Sequence, residues 1–457
     1  MNLKTNIEIP SPVKKVIRKI TDKGFEAYIV GGILRDMLLD IPCGDFDIAT
    51  NARPKEISKI FKKTVPTGIK HGTVTVIENG RSYEVTTFRR EGKYTDSRRP
   101  DKVKFIGSLA EDLSRRDFTV NALAFNIKDN VLIDPFGGIR DLKKKILRTV
   151  GDPLKRFAED ALRPIRAARF AAVLNFTIEK KALSAIPKVL PKIKKLSSER
   201  VRDELMKVLA ADKPSIGLSI LHKSGVLRLI IPELAKADRF DQGGMHEFDL
   251  LKHALIATDN GPKDNPLLRL SLLLHDVGKT ETRIIDGKDF HFYGHESCGA
   301  EMAKSIMKRL KYSNREIEYV DSMIKNHMFN YNESWKDNAI RRLLARTGPD
   351  RIDDLLDLRE ADARACGQNR KPSEEFYELK SRIKKIIKQD TALKVTDLKI
   401  DGHDVMKFMK IPEGKRVGEI LLKLLNMVMD DVVKNKRKDL FDQLKDIAKG
   451  INHKIRF

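Results

Sequence analysis

Little in this chain would staple, anchor or export it. Only three cysteines occur in 457 residues, Cys43, Cys298 and Cys366, far apart and without CxxC spacing. An odd, scattered set weighs against a disulfide framework or a cysteine-built zinc centre and fits a reducing compartment. Long apolar runs are missing too: stretches such as LSLLL ahead of His275 fall well short of the ~20 residues that a membrane span needs. The N-terminal MNLKTNIEIPSPVKK has no apolar signal core, so a cytoplasmic location with no membrane partner is expected. Aromatics make up only 6%, which points to helix-rich cores of Leu, Ile and Ala. Acidic charge is in deficit, 65 Asp plus Glu against 89 Lys plus Arg, for a net +24. An excess spread along the whole chain favours a polyanionic partner, nucleic acid ahead of an acidic membrane surface.

The chain is too long for one ordinary core, so about three or four domains are expected. Residues 1–150 mix helix and strand signals. In VPTGIKHGTVTVIENGRSYEVTTFRR, two β runs around Gly72–Glu78 and Ser82–Phe88 flank an Asn79-Gly80 hairpin turn. ALAFNIKDNVLIDPFGG reads as a second strand pair, with a polar turn at Lys128–Asn130. From about Leu154 the pattern becomes helical and strand signals almost vanish. The expected class is α+β multidomain: an α/β head with a mixed or antiparallel sheet (1–150), a helical neck (151–235), a helical region holding most histidines (236–365) and a helical basic tail (366–457).

The densest chemistry lies in YIVGGILRDMLLDIPCGDFDIAT. Tyr28-Ile29-Val30 reads as a short buried strand, Gly31-Gly32 as a turn and Ile33–Leu39 as a helix. Glycines there let backbone N–H groups approach a phosphate, aided by the helix N-terminus, with Arg35 one turn in. In Gly44-Asp45-Phe46-Asp47-Ile48 the aspartates sit at i and i+2, so on a strand both carboxylates share one face. Such a pair suits two divalent cations that activate a hydroxyl and neutralise a triphosphate. A bare DxD is more often a solvated strand edge; the GGxxRD segment just upstream favours metal chemistry. Glu84, in Tyr83-Glu84-Val85, offers a third carboxylate on a strand that could pair beside the Asp strand, or simply an exposed strand glutamate.

In order along the chain, GGxLRD…GDFDIAT, EVTTFRREGKYTDSRRPDKVKF, DLSRRDFTVNALAFN, IDPFGGIRDL and RFAEDALRPIRAARFAA resemble the bacterial-type (class II) CCA-adding tRNA nucleotidyltransferase and poly(A) polymerase family, over about residues 25–235. The resemblance implies a nucleotidyltransferase head using Mg²⁺, with tRNA, CTP and ATP as partners, as a monomer or homodimer. It implies that Gly31, Gly32 and Arg35 hold the triphosphate, and that Asp45 and Asp47 bind the metals. Arg115, Arg116, Asp117 and Asn121 would lie by the nucleotide, the first three beside the ribose. Glu159-Asp160-x-x-Arg163 resembles the segment that templates the incoming base, and Glu91–Pro100 the loop that assists the switch from C to A. Physical chemistry agrees with the template: Asp160 and Arg163, three apart on a helix, would be neighbours on one face. A carboxylate accepts from the amines of cytosine and adenine while a guanidinium donates to their ring acceptors. The bland alternative is a surface salt bridge. Arg166 and Arg169 continue an arginine stripe, either solvated or facing nucleotide and RNA.

A second constellation groups His253, His275-Asp276 and Asp362, with His295 and His327 beside them in sequence. The doublet after an apolar helix resembles the HD phosphohydrolase superfamily. The resemblance implies a transition metal such as Ni²⁺ or Mn²⁺ that activates water against a phosphoester, His295 and His327 serving a second ion. Whether this region is catalytic or a packed remnant stays open at this level. Three readings follow: a CCA-adding enzyme; a poly(A) polymerase or A-only enzyme; and an HD phosphohydrolase whose head only binds RNA.

Overall fold

A computed structural model describes every residue except 1, 5–6, 92–102, 244–246, 288, 330, 333, 368–373, 389–391 and 455–457. The Glu91–Pro100 loop expected to assist the C-to-A switch therefore lies, beyond Glu91, outside the described residues. The chain forms two compact units, Met1–Lys236 with Arg309–Tyr312, and Ala237–Lys308 with Ser313–Phe457. The boundaries expected at 150 and 365 fall inside these units. Among the described residues no helix is long and apolar enough to cross a membrane.

The first unit opens as a mixed sheet. Its strands, with a small ribbon between them, are β1 (Asn2–Lys4), β2 (Ala27–Val30), β3 (Asp47–Thr50), β4 (Thr64–Gly68), β5 (Thr73–Glu78), β6 (Arg81–Thr87), β7 (Arg89–Glu91), β8 (Val103–Phe105), β9 (Ala124–Asn126) and β10 (Val131–Ile133). The eight-stranded order is β1-β10-β9-β2-β3-β6-β5-β4, and β7 pairs only with β8. Neighbours run antiparallel except β3 and β6, which are parallel. The Asn79-Gly80 turn forms as expected, with positive φ at both residues (52° and 76°), the twist that a two-residue hairpin needs.

Register explains how this sheet makes a site. Phe125, Ile29, Ile48, Val85 and Val74 are successive cross-strand partners, all 0–1% exposed, forming one buried row over five strands. Since side chains alternate, the row one residue along points to the opposite face. That row runs Ala124, Val30, Asp47, Glu84 and Thr75. The strand begins only at Asp47, so Asp45 lies on the approach to it; even so, Asp45 and Asp47 are exposed while Phe46 and Ile48 are buried.

Helices follow in the same unit, including Pro153–Glu159, Arg163–Leu174, Ser198–Leu209 and Pro214–Lys223. The expectation that Asp160 and Arg163 lie on one helix is corrected: the chain leaves the helix at Asp160 (φ −133°, ψ 108°) and restarts at Arg163. Pro164 explains the break, because it lacks an N–H and in a continuous helix its ring would clash with the carbonyl four residues back, that of Asp160. Helix Pro214–Lys223 approaches Arg163–Leu174 so closely that a Cβ on Gly217 would sit 2.9 Å from the Ala168 carbonyl oxygen.

Among the described residues the second unit is helical apart from a small hairpin, Ile284–Asp286 with Asp289–His291. One core is built from helices Leu250–Asn260, Pro266–Leu274, Asn314–Asn326, Asp337–Thr347, Ile352–Ala365 and Glu374–Lys388. It runs through residue 365 without interruption, joining Leu358 and Ala365 to Leu379 and Ile383. A separate core lies among Gly402–Met409, Lys415–Met429 and Arg437–Lys454.

Candidate active site

Asp47 and Glu84 are register partners on adjacent parallel strands, and Asp45 lies one alternation upstream. Asp47 and Glu84 face a small cavity of about 120 Å³ that Arg115 and Arg116 also line. Desolvation within that cavity raises the Asp47 carboxyl above its ordinary range; Arg116 lowers it, and Glu84 and Asp45 raise it further. Asp47 and Glu84 in the recess, with Asp45 near enough to act on Asp47, form an all-oxygen donor set suited to a hard divalent cation, while Arg89, Arg115 and Arg116 line the same recess as positive charge for an anionic substrate. Gly31 closes the recess at φ +88°, and a Cβ there would lie 2.8 Å from Arg116 Nη1 and 3.6 Å from Asp47 Oδ2. Only glycine leaves that space open without backbone strain.

Beside the carboxylates runs a chain of polar contacts through the interior. Arg35, 8% exposed, donates through Nη1 to Asn121 Oδ1 at 2.6 Å and pairs with Asp36. Asn121 Nδ2 donates to Asp117 Oδ1 at 3.0 Å, and Arg166 grips Asp117 Oδ2 through Nε and Nη2 at 2.9 and 2.7 Å. Burial would raise the Asp117 carboxyl, but Arg166 and Asn121 outweigh it and hold it down at about 2. Arg166 and Arg169 then reach Glu204, at 3.8 and 3.0 Å. Three guanidiniums, of Arg35, Arg166 and Arg169, surround the Phe170 ring at 5.0, 5.4 and 4.1 Å. The arginine stripe is thus internal and ion-paired rather than solvated.

Asp160 and Arg163 do not share a helix face. Arg163, 7% exposed, donates to the carbonyls of Arg156 and Arg115 and to Glu159 Oε2, each at 3.0 Å. Asp160 accepts from Leu162 N at 3.0 Å and from Arg200 Nη2 at 3.2 and 3.0 Å. The bond to the Arg115 carbonyl places this segment directly behind the Arg115-Arg116-Asp117 run. A bare surface salt bridge between Asp160 and Arg163 does not exist here.

In the second unit the six expected residues converge. His253 and His275 present Nε2 to Asp362 Oδ1 at 3.1 and 3.3 Å; His295 and His327 present Nε2 to Asp276 Oδ1 at 3.3 and 3.6 Å. Asp276 Oδ2 also lies 3.2 Å from His275 Nε2, so this carboxylate joins both halves. Each ring is oriented from behind: Nδ1 of His253, His275, His295 and His327 meets a backbone carbonyl at 3.4, 2.7, 2.8 and 2.6 Å. A carbonyl only accepts, so Nδ1 carries the proton in each ring and Nε2 is turned inward. Lys279 and Arg359 brace the carboxylates, with contacts of 2.7 Å to Asp276 and 2.8 Å to Asp362. Burial alone would lower His275, yet Asp276 and Asp362 push it up to about 10. Beside the cluster opens a cavity of about 380 Å³ walled by Phe290, Phe292, Tyr293 and Met328.

Known protein families match stretches of this chain. Residues 27–148 match the family model "Poly A polymerase head domain", 175–238 "Probable RNA and SrmB- binding site of polymerase A" and 295–444 "tRNA nucleotidyltransferase domain 2 putative". The CCA-adding enzyme of Pediococcus pentosaceus is 36% identical over 443 residues, 95% of this chain and 98% of that protein. The chain belongs to the CCA-adding enzyme family. It is a nucleotidyltransferase, with a mixed-sheet head followed by helical parts. The family member of Enterococcus faecalis is 34% identical, over 94% of this chain and 95% of its own length. The crystal structure of the Bacillus stearothermophilus CCA-adding enzyme in complex with CTP superposes with a TM-score of 0.77 at 28% identity, covering 98% of this chain and 100% of that one. The Thermotoga maritima CCA-adding enzyme complexed with tRNA shares the fold at a TM-score of 0.57 and 20% identity, over 96% of each chain.

Set within this family's fold, several polar residues surround the expected ones and were absent from the sequence reading. Asp112, 1% exposed, receives Arg115 Nε at 3.0 Å and the backbone N–H of Arg89 at 3.2 Å. Arg200 and Glu204 hold Asp160 and the arginine pair. A signal existed for Glu204: in SSERVRDELMKVL it falls at helical spacing with Val201, Leu205 and Val208, the buried face. An acid on a core stripe asks for a buried cation. Lys279 was similarly marked, three residues after Asp276 on one helical turn.

Proposed function

We propose that this chain adds C, C and A to the 3′ end of tRNA, taking CTP and ATP in turn. The observation that carries the reading is the pairing of Asp47 with Glu84 on the open face of the sheet, beside the Gly31 turn. Full-length likeness to CCA-adding enzymes supports it. Asp45 and Asp47, with Glu84, would hold magnesium, which supplies charge to a triphosphate and acidity to an attacking hydroxyl. Gly31 and Gly32 leave the backbone open to phosphate oxygens, and Arg35 and Arg116 offer positive charge on either side. Asp117 and Asn121, locked by Arg166 and Arg35, form a rigid polar wall beside Arg115 and Arg116 for the ribose. Asp160 and Arg163 read the base edge. Residues 1–150 are the catalytic head, 151–235 the neck that selects the nucleotide, and 366–457 a basic surface for RNA. Incubating the protein with tRNA lacking CCA, with CTP and ATP separately and together, tests this. Addition of A alone, or of a long A tract, would replace it by the A-only or poly(A) reading.

A second activity, a metal-dependent phosphohydrolase in residues 236–365, is favoured by one observation: four imidazoles with Nε2 turned inward onto two buried carboxylates. That donor set suits Ni²⁺ or Mn²⁺ rather than Mg²⁺, and water activation against a phosphoester is the chemistry such ions supply. Lys279 and Arg359 would neutralise phosphate charge. Release of phosphate from nucleotides by the whole protein, dependent on Ni²⁺ or Mn²⁺, is the test.

A further inference from the structure

We propose that Arg200 is the positioning residue that keeps the base reader open, by holding Asp160 away from Arg163. The inference rests on Asp160 and Arg163 reading the base.

Asp160 and Arg163 are two groups that ought to cancel. A carboxylate and a guanidinium three residues apart, at a break between helices, are free to approach and pair. A pair closed on itself has neither a spare acceptor for an exocyclic amine nor a spare donor for a ring nitrogen. In this structure the pairing is crossed instead. Arg163 is turned to Glu159 at 3.0 Å, with two backbone carbonyls fixing its plane. Asp160 is turned to Arg200, whose Nη2 bridges both carboxylate oxygens at 3.2 and 3.0 Å. Leu162 N takes one further lone pair. The carboxylate is thus oriented on one side and keeps acceptor capacity on the other, since an ionised carboxylate offers about four acceptor sites.

Arg200 itself is anchored for this task. It stands on helix Ser198–Leu209, one turn before Glu204, and Glu204 is the residue that fixes Arg166 and Arg169. One helix therefore sets both the orientation of the base reader and the arginines behind Asp117. Arg200 Nη1 is buried and has no hydrogen-bond partner among the described residues. Such an orphan is uncommon in a folded interior.

With Arg200 shortened, Asp160 loses the guanidinium that orients it and is left to turn toward the remaining arginines, Arg166, whose charge already acts on it, and Arg163, three residues on. The reader would close, so correct bases lose hydrogen bonds that uracil and guanine never had. The test is competition among CTP, ATP, UTP and GTP on tRNA lacking CCA, by the whole protein carrying Arg200→Gln, Arg200→Lys or Arg163→Ala. The proposal expects Arg200→Gln to raise KM for CTP and ATP and to cut discrimination against UTP and GTP roughly tenfold, kcat changing little. Arg200→Lys, which keeps a cation near Asp160, should recover most of that ratio. If Arg163→Ala relaxes base choice but Arg200→Gln keeps the wild-type ratio, the proposal fails and the base-reading assignment stands. If neither variant changes the ratio, the base is read elsewhere and both fall. Equal loss with all four nucleotides, not recovered by Arg200→Lys, would show a merely structural residue and also overturn it.

Discussion

Replacing Asp117 by Asn tests whether the buried polar chain behind the site is electrostatic or only a matter of shape. The amide keeps the size and most hydrogen bonds of the carboxylate and removes its charge. In the folded protein Arg166 and Asn121 hold the Asp117 carboxyl at about 2, against an ordinary value of 3.8, although burial opposes them. A difference of nearly two pH units corresponds to about 2 kcal/mol favouring the folded state when the group is ionised in both states. The sign follows from a depressed acid: this stability is fully present above pH 4 or so and is lost as pH falls through about 2. Integrating between the two values leaves roughly half of it at pH 3. Asp117→Asn should therefore lower the melting temperature of the first unit by about 5–10 °C near neutral pH. The gap between wild type and variant should shrink to about half by pH 3. Because Asn121 links Asp117 to Arg35, the variant should also raise KM for both CTP and ATP, roughly tenfold. Thermal unfolding across pH 7 to 3, with steady-state kinetics at neutral pH, reads both. A gap that stays constant with pH would refute the electrostatic account and leave a packing defect in its place.

Asp45→Ala and Asp47→Ala should each abolish addition of both nucleotides, a loss on the order of 10³-fold or more, with unchanged circular dichroism; near-normal addition by the double variant in magnesium would sink the assignment. Gly31→Ala forces a side chain into a left-handed backbone conformation and displaces Arg116. It should cost about 1–3 kcal/mol in unfolding experiments and depress use of both nucleotides alike. His275→Ala with Asp276→Ala should remove high-affinity Mn²⁺ or Ni²⁺ binding measured by calorimetry while leaving addition to tRNA within about twofold of wild type. If the wild-type protein binds neither metal and releases no phosphate, the histidine cluster is a packed remnant.

Much of the site could be read from residue spacing, because spacing is what local backbone geometry acts upon. A period of two put Asp45 and Asp47 on the side opposite Phe46 and Ile48, and the fold keeps that division even though the strand starts late. The Asn79-Gly80 turn needs positive φ twice, and those residue types tolerate it, so the hairpin was legible as well. Glu84 is different. Its suitability depended on a parallel pairing between strands distant in sequence, and a slip of one residue would have turned it into the core. Asp160 and Arg163, expected on one helix, were misread although Pro164 carried the warning, because amphipathic periodicity outweighed a single breaker. The six metal-ligand candidates were recognisable as residue types, but the inward turn of each Nε2 depends on which carbonyl stands behind each ring. Arg200 and Glu204 show the limit most clearly. Their partners, Asp160, Arg166 and Arg169, belong to segments that meet only after the neck helices pack, and a charge's role inside a protein is set by the charges it ends up facing.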